Sequence, residues 1–551
     1  MNKNLSKSVA LISLGAGILS CNQQEEARQP NILFIMSDDH TQQAIHAYGH
    51  GLLDTVLFPN IDRLAKEGAI FNQSFVTNSI SAPSRAVMLT GKYSHLNGKT
   101  DNRGSFNWDQ QNFAKLLQQA GYQTALVGKI HLDGDPQGFD YSNVLPGQGS
   151  YYNPVFIKDG ERMQYEGHST EWITQFAVDW FDDEWNRTKP FAMLFHTKAP
   201  HRNWLPETKY LDFLEDREFD FPGNFFDDYE GRGSAAREQE MEIVNHMFWG
   251  HDMKFENNPY TGEPTRFEND IERMNEEQRA AWRAEYNPRN EAFLQEISEE
   301  NYDIFSEQHS HNFSLDFLQE TPEGRELARF MFHRYLRDYL KTIKSVDDGI
   351  GKVLDYLEEN GLLENTIVFY TSDQGFYLGE HGWYDKRFMY EQSLSTPLLM
   401  RYPKEIKPGS KVNDMVLNLD LAPTFLDYAG IEKPADMQGE SFREIVAGKD
   451  TDWRDAIYYH YYEYPSVHMV KRHYGVRTDR YKLIHFYYDV DEWEMYDLHE
   501  DPDEMNSIYG DPAYSEIQAM LHQRLEELRV QYGDSDELAQ EFLDDYLEGR
   551  D

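Results

Sequence analysis

The chain has 551 residues, of which 40% are hydrophobic and 14% are aromatic. A chain of this length and composition can bury a large core, which excludes a mainly disordered protein. Its 96 acidic and 52 basic residues give a formal net charge of -44. Because such a charge repels nucleic-acid phosphates, we expect no nucleic-acid partner.

The amino terminus has the pattern of a bacterial lipoprotein signal. Two lysines precede a short apolar run at 9–19, and Cys21, the only cysteine, follows two residues later. This pattern predicts a signal peptide at 1–20, cleavage before Cys21 and lipidation of its sulfur. Residues 21–29 would then be a flexible tether. We expect a cell-envelope lipoprotein, periplasmic or surface-facing, that contacts the membrane through its lipid anchor only. An ordinary signal peptide with an incidental cysteine is the alternative.

From residue 30 onwards, short apolar runs alternate with segments of helical periodicity. Apolar residues at helical spacing between Leu336 and Leu357 predict a long helix that ends near Gly361. Strands that alternate with helices predict an α/β fold with a large, mainly parallel sheet flanked by helices. The predicted strands lie at 32–36, 124–127, 191–195, 366–370 and 397–400.

The last quarter of the chain has a different pattern. Short strands predicted at 457–462, 473–477, 482–488 and 493–496, with a helix at 515–532, indicate a smaller antiparallel subdomain. We therefore predict a main domain at 30–440 and a C-terminal subdomain at 441–551. Within the main domain, residues 211–321 are acidic and aromatic with little periodicity, and we expect them to form an elaboration of the sheet.

Four polar residues come at or just after the ends of predicted strands. They are Asp38, Lys129, His196 and Asp373. In open parallel sheets, ligands bind at the edge formed by the carboxyl ends of the strands. We therefore expect these four residues to lie along one edge.

The most informative segment begins at Ser81. Residues 81–85 read Ser-Ala-Pro-Ser-Arg, and Leu-Thr-Gly follows at 89–91. A serine at the start of a helix is most often only a cap. The whole motif, however, resembles the signature of the type I sulfatases, which belong to the alkaline phosphatase-like superfamily. A motif of this length is specific.

The resemblance implies a covalent modification of Ser81. In that family a maturation enzyme oxidises the first residue of the motif to formylglycine, also called 3-oxoalanine, and Arg85 would hold this residue. One hydroxyl of the formylglycine hydrate would attack sulfur and expel the alcohol, and collapse of the adduct to the aldehyde would release sulfate. Because the precursor is a serine, the expected partner is a serine-type formylglycine-generating maturase.

The resemblance also implies a divalent metal ion. Two acids follow the first strand, Asp38 and Asp39, and Asp373 with Gln374 follows a later one. Carboxylate and amide oxygens suit a hard cation such as Ca²⁺ or Mg²⁺. By resemblance these four residues, with the modified Ser81, would bind Ca²⁺, and Mg²⁺ is the alternative.

Three basic residues resemble groups that act on sulfate in the family. Lys129 and His131 match a Lys-x-His motif, in which the lysine would contact sulfate and the histidine would orient the hydrate or take its proton. His201, in Lys-Ala-Pro-His at 198–201, matches the second histidine and is the expected general acid. His196 competes for that role and matches less well.

A further segment, 379–386, reads Gly-Glu-His-Gly-Trp-Tyr-Asp-Lys. It resembles the segment in which carbohydrate sulfatases supply another sulfate-binding lysine, here Lys386. His381 would reach the sugar or the leaving oxygen. A loop that only closes the domain explains Trp383 and Tyr384 equally well.

The resemblance extends over residues 30–508 apart from 211–321. It implies a hydrolase that removes sulfate from saccharides or polysaccharides of the algal, glycosaminoglycan or mucin type. Two alternatives remain: a phosphate or phosphonate ester hydrolase of the same superfamily, and a non-catalytic glycan-binding lipoprotein in which Ser81 is never oxidised. Every expected catalytic position is filled, which favours the enzyme.

Overall fold

The computed structural model describes residues 29–300, 304 and 312–549. The predicted signal peptide and the lipidated Cys21 therefore lie outside the described residues. None of the helices in the described part is both long and apolar enough to cross a bilayer. The described residues form one sheet of ten strands, one of four strands and two small sheets of two strands each.

The secondary structure elements are numbered here in chain order. The strands are β1 (Asn31–Ser37), β2 (Ala69–Phe71), β3 (Ser74–Phe75), β4 (Gln123–Lys129), β5 (Tyr141–Leu145), β6 (Val155–Lys158), β7 (Glu161–Gln164), β8 (Phe191–His196), β9 (Thr366–Ser372), β10 (Tyr377–Leu378), β11 (Tyr384–Asp385), β12 (Leu398–Arg401), β13 (Ser410–Val412), β14 (Val416–Leu417), β15 (Ala456–Tyr461), β16 (His473–Thr478), β17 (Tyr481–Phe486) and β18 (Glu492–Asp497). The α-helices are α1 (Pro59–Glu67), α2 (Ser81–Thr90), α3 (Ser94–Asn97), α4 (Phe113–Gln119), α5 (Ser169–Asp179), α6 (Ser234–Glu238), α7 (Ile243–His246), α8 (Phe267–Arg273), α9 (Glu276–Glu299), α10 (Leu315–Glu320), α11 (Pro322–Glu359), α12 (Glu391–Leu394), α13 (Leu421–Tyr428), α14 (Arg443–Val446), α15 (Ser515–Tyr532) and α16 (Asp536–Glu548).

The large sheet has the strand order β13-β2-β12-β9-β1-β8-β4-β5-β6-β7. Its centre is parallel, because β1 pairs with β8 and β9, and β4 pairs with β8 and β5, all in the same direction. This confirms the predicted parallel sheet. The predicted strand at 397–400 corresponds to β12, which is antiparallel to both of its neighbours. Strands β6 and β7 also pair antiparallel, so the sheet is mixed at both sides.

Both faces of the sheet are covered. Leu33 and Ile35 of β1 face a core layer that includes α1, α5 and α11. The alternate residues Ile32, Phe34 and Met36 face a second layer that includes α2, α4 and α13. Burial on both faces explains why this strand is a continuous apolar run and does not alternate with polar residues.

Two helices differ from the prediction. The long helix α11 begins at Pro322, because the Thr321 side chain accepts a hydrogen bond from the Gly324 N–H and Pro322 fits the first turn. In the segment 211–321, where the sequence has little periodicity and no helix was predicted, α9 forms a 24-residue helix. The prediction missed α9 because its buried residues are separated by many charged ones and by Pro288. Those buried residues are Trp282, Tyr286, Asn290, Phe293 and Ile297.

The four-stranded sheet lies in the C-terminal part. Strands β15 to β18 pair antiparallel in sequence order, as predicted. Helix α15 has the predicted bounds, and α16 is an additional helix that the sequence did not indicate. The domain boundary at residue 440 stays a prediction.

Candidate active site

The four polar residues predicted to share a sheet edge follow adjacent strands. Strands β9, β1, β8 and β4 are consecutive neighbours and all run in the same direction. Asp373 follows β9 and Asp38 follows β1, whereas His196 and Lys129 are the last residues of β8 and β4. The carboxyl ends of these strands therefore bring all four residues to one edge.

Ser81 is the first residue of α2 and lies at the same edge. Pro83 fits the first turn of this helix, and the helix ends at Thr90, where Gly91 caps it with a φ of 63°. Ser81 Oγ lies 3.3 Å from Asp38 Oδ1. Every residue of α2 is buried. A buried helix start favours an anion, because its N–H groups lack partners within the helix.

Arg85 lies one helical turn after Ser81 and on the same face of α2. Its Nε donates to Asp373 Oδ2 at 3.0 Å, and one terminal nitrogen donates to the main-chain oxygen of Lys129 at 2.7 Å. The other terminal nitrogen lies 3.6 Å from Asp38 Oδ1. Arg85 therefore ties the ends of β9, β4 and β1 together and balances two buried carboxylates.

Two lysines pair with the acids that follow β1. Lys129 Nζ donates to Asp38, and Lys386 Nζ donates to Asp39. Burial alone would raise the pKa of Asp38, but Lys129, His201 and Arg85 hold that pKa well below its usual value. Burial raises the pKa of Asp39 to about 7, although Lys386 opposes the shift. The site thus gathers cations inside a strongly acidic protein.

The acids and the amide fit a hard metal ion. Asp39 N–H donates to Asp373 Oδ1 at 3.0 Å, and Gln374 Nε2 donates to an Asp39 carboxylate oxygen. In the described structure, Asp39 Oδ2 and Gln374 Oε1 are buried without a hydrogen-bond partner. Such oxygens are ligands that Ca²⁺ and Mg²⁺ prefer. One atom each of Asp38, Asp39 and His201 lie within 4.8 Å of one another, so His201, not predicted as a ligand, borders the same position.

His201 and His196 are placed differently. His201 Nε2 lies 3.8 Å from Asp39 Oδ2, and its Nδ1 donates to the main-chain oxygen of Arg202 at 2.6 Å. Burial, reinforced by Lys129, holds the pKa of His201 well below its usual value. His196 packs edge-on against Phe34 in the core, with ring centroids 5.2 Å apart. This geometry favours His201 as the histidine that borders the acids.

Sequence reasoning missed two residues beside Lys129 and His131. Gln148, in the loop after β5, places Oε1 at 2.5 Å from Lys129 Nζ and Nε2 at 3.1 Å from His131 Nε2. Lys198 is buried and donates to the main-chain oxygen of Gln148 at 3.2 Å. Burial, reinforced by Lys129, lowers the pKa of Lys198 to about 7. The Gly-Gln-Gly turn at 147–149 was the only signal in the sequence for Gln148.

The contacts of His381 are with residues outside this cluster. It is fully buried, and its Nδ1 is 2.8 Å from Asp227 Oδ2 and 3.1 Å from an Arg232 nitrogen. Its ring also packs against Trp383, with centroids 5.1 Å apart. These contacts favour a role in holding the loop that leads to Lys386. The predicted contact of His381 with the sugar stays a prediction.

Comparison with known proteins places this geometry in a family. The sulfatase profile matches residues 30–431, and a profile described as N-sulphoglucosamine sulphohydrolase, C-terminal, matches residues 379–531. An N-acetylglucosamine-6-O-sulfatase from Bacteroides thetaiotaomicron is 47% identical over 540 residues, which cover 96% of this chain and 92% of that protein.

Solved structures show the same fold. One, of a protein in complex with its substrate D-glucosamine-2-N,6-O-disulfate, is 46% identical with a TM-score of 0.83 and covers 92% of this chain and 99% of its own. A phosphonate monoester hydrolase from Silicibacter pomeroyi, 20% identical with a TM-score of 0.63, covers 92% of this chain and 96% of its own. The second likeness extends to the fold alone. Since the sulfatase profile covers well over half of the chain and the curated relative is 47% identical, the chain belongs to the sulfatase family, the hydrolases of sulfuric esters.

Proposed function

We propose that this sulfatase removes the 6-O-sulfate of N-acetylglucosamine or N-sulfoglucosamine residues in sulfated glycans. The observation that carries the proposal is the buried cluster in which Ser81 lies 3.3 Å from Asp38, with Arg85, Lys129 and Lys386 around the same acids. The sugar and the position on its ring come from the similarity to an N-acetylglucosamine-6-O-sulfatase and to a structure bound to glucosamine-2-N,6-O-disulfate.

The proposal includes a formylglycine formed from Ser81 and a bound divalent cation, for which we favour Ca²⁺. Membership of the family implies a metal and a formylglycine. When present, the formylglycine hydrate supplies a hydroxyl nucleophile for sulfur, and the cation polarises the sulfate group. Asp38, Asp39, Asp373 and Gln374 would hold the cation, which the unpartnered oxygens of Asp39 and Gln374 support. A serine-type maturase would produce the aldehyde.

The chain's own residues then bind and orient the ester. Lys129 and Lys386 would move from the carboxylates to the sulfate oxygens, since a buried ammonium group gains from an anion that it contacts directly. Arg85 would hold Asp373 in place through its contact at 3.0 Å, one helical turn away from the nucleophilic residue.

His201 would protonate the leaving sugar oxygen through Nε2, because Nδ1 already donates to the main-chain oxygen of Arg202. This role requires the doubly protonated ring, whereas burial and Lys129 hold the pKa of His201 well below its usual value. A sulfate anion beside the ring would raise that pKa, because a nearby negative charge favours the charged form.

The cellular location is a separate part of the proposal. The lipoprotein pattern around Cys21 supports an enzyme anchored in the cell envelope by its lipid, where extracellular glycan fragments are available. Labelling cells with a fatty-acid probe and comparing the wild type with Cys21→Ala tests it. Loss of the label and of membrane fractionation in the variant is expected, and unchanged membrane fractionation would contradict the anchor.

The enzymatic proposal is tested with protein co-expressed with a serine-type maturase and loaded with calcium. N-acetylglucosamine 6-sulfate, its 3-sulfate isomer, galactose 6-sulfate and N-acetylglucosamine 6-phosphate are compared by release of sulfate or phosphate. We expect turnover mainly of the glucosamine 6-sulfate and none by Ser81→Ala. Faster turnover of the phosphate ester would instead support the phosphoester hydrolase alternative. A protein that binds these sugars but hydrolyses none would support the binding-protein alternative.

A further inference from the structure

The loop between β5 and β6 presents Gln148 to the catalytic cluster. Gly147 and Gly149 flank it with φ values of 54° and 68°, a backbone conformation that favours glycine. A Cβ atom at residue 149 would lie only 2.8 Å from a side-chain atom of Leu145. Lys198 also stabilises the loop, because its Nζ donates to the main-chain oxygen of Gln148 at 3.2 Å. These contacts fix the backbone at Gln148, although its side chain is exposed to solvent.

The contacts of Gln148 determine the orientation of its amide group. Its Oε1 lies 2.5 Å from Lys129 Nζ. An ammonium group has only hydrogen-bond donors, so the atom that faces Lys129 must be the amide oxygen. The amide nitrogen then faces His131, at 3.1 Å from Nε2. A flipped amide would place its NH₂ group against the ammonium and is excluded by this pairing.

The orientation of the amide determines the tautomer of His131. The amide nitrogen of Gln148 can only donate, so His131 Nε2 must accept and carries no proton. The proton of a neutral ring is then on Nδ1. That atom is buried and has no hydrogen-bond partner in the described structure. Burial, reinforced by Lys129, also holds the pKa of His131 well below its usual value, which keeps the ring neutral.

We infer that Gln148 is a positioning residue that fixes His131 as the neutral tautomer protonated on Nδ1. His131 then acts in the site as a hydrogen-bond donor through Nδ1, and its Nε2 lone pair is occupied by Gln148. The backbone contact with Lys198 keeps Gln148 in place. The consequence for catalysis rests on the proposed sulfatase reaction, whereas the tautomer itself does not.

The test replaces Gln148 by glutamate, which has nearly the same shape but only acceptors. In Gln148→Glu, a carboxylate oxygen would still accept from Lys129, and the other would require a proton on His131 Nε2. The full chain is used, matured and loaded with calcium, with ¹⁵N-labelled histidine. Two-bond ¹⁵N–¹H spectra report which ring nitrogen is protonated, and His131→Asn identifies the signal. Gln531→Glu, at an exposed position of α15, is the control for the added charge.

In the wild type we expect the His131 signal to show a protonated Nδ1 and an unprotonated Nε2. In Gln148→Glu we expect a protonated Nε2, and kcat lower by about tenfold with KM within about twofold, the size of one lost hydrogen bond in the transition state. The pKa of His131, followed in the same spectra, should rise in the variant, because a carboxylate raises the pKa of a neighbouring histidine. The other charged groups that act on His131 are Lys129, Asp38, Arg85 and Lys386, and all are unchanged in the variant.

A wild-type signal with a protonated Nε2, or an unchanged tautomer in Gln148→Glu, would overturn the inference. If the glutamate variant fails to mature or fold, Gln148→Ala replaces it. That variant should give a mixture of tautomers, and a pure Nδ1-protonated signal would also overturn the inference. A protein with the expected tautomer that hydrolyses no sulfate ester would refute the proposed function and leave the role of Gln148 intact.

Discussion

Replacing Arg85 by lysine tests whether its planar guanidinium organises the site. Arg85 makes two direct hydrogen bonds, at 3.0 Å to Asp373 and at 2.7 Å to the main-chain oxygen of Lys129, and lies 3.6 Å from Asp38. A lysine keeps the charge but has one nitrogen, which cannot reach acceptors at the ends of three strands at once. At least one charge-assisted hydrogen bond is therefore lost in Arg85→Lys.

The magnitude follows from that single loss. A hydrogen bond to a charged group contributes about 1.5–3 kcal/mol, and about 1.4 kcal/mol corresponds to tenfold in rate. We expect Arg85→Lys to lower kcat/KM by roughly 10- to 150-fold. Because Arg85 belongs to the predicted maturation motif, rates must be expressed per aldehyde, counted by mass spectrometry of the peptide that contains residue 81.

The assay is sulfate release from N-acetylglucosamine 6-sulfate with saturating calcium. Arg162→Lys, at an exposed position of β7, is the matched control and should be indistinguishable from the wild type. A value of kcat/KM per aldehyde within about threefold of the wild type in Arg85→Lys would refute the reasoning, since it is less than the loss of one hydrogen bond.

Three further predictions follow from the site and from the C-terminal sheet. In His201→Ala, kcat should fall strongly for sugar sulfates and much less for an aryl sulfate with an acidic leaving group, and equal losses would argue against a general acid. Chelation of divalent ions should abolish turnover and lower the melting temperature, and added calcium should restore both; full activity after chelation would contradict the metal site. His473 Nδ1 donates to the Lys471 main-chain oxygen at 2.7 Å, its Nε2 accepts from Met389 N–H at 3.0 Å, and burial lowers its pKa from 6.5 to about 3. Below pH 6.5 the unfolded chain therefore binds the proton first, and stability falls by about 1.4 kcal/mol per pH unit until the folded pKa is reached. His473→Gln should thus lose less melting temperature than the wild type between pH 7 and 5, and an equal loss would contradict this assignment.

Much of the fold could be predicted from local pattern. The central strand β1 is a continuous apolar run because both of its faces are buried, and that signal is strong in the sequence. Helix α9 was missed because its buried positions, such as Trp282 and Phe293, lie among charged residues that the helix exposes to solvent. The antiparallel direction of β12 could not be predicted, since strand direction depends on the connections and not on the residues of the strand.

The candidate site, like the fold, could be predicted only in part from the sequence. Ser81, Arg85 and the acids could be proposed because they belong to a long motif or follow a strand. Gln148 could not, because a single glutamine between two glycines carries no signal of chemistry until the fold places it beside Lys129 and His131. The role of His381 stays a prediction, and its contacts with Asp227 and Arg232 could not be predicted from the segment that contains it.

The central claim is that residue 81, once oxidised, reacts at the edge formed by Asp38, Lys129 and Arg85. It is tested most directly by measuring the rate of sulfate release against the fraction of chains that carry the aldehyde, varied through the level of maturase. We predict a straight line through the origin for N-acetylglucosamine 6-sulfate. A rate that persists in fully unmodified protein would contradict the claim.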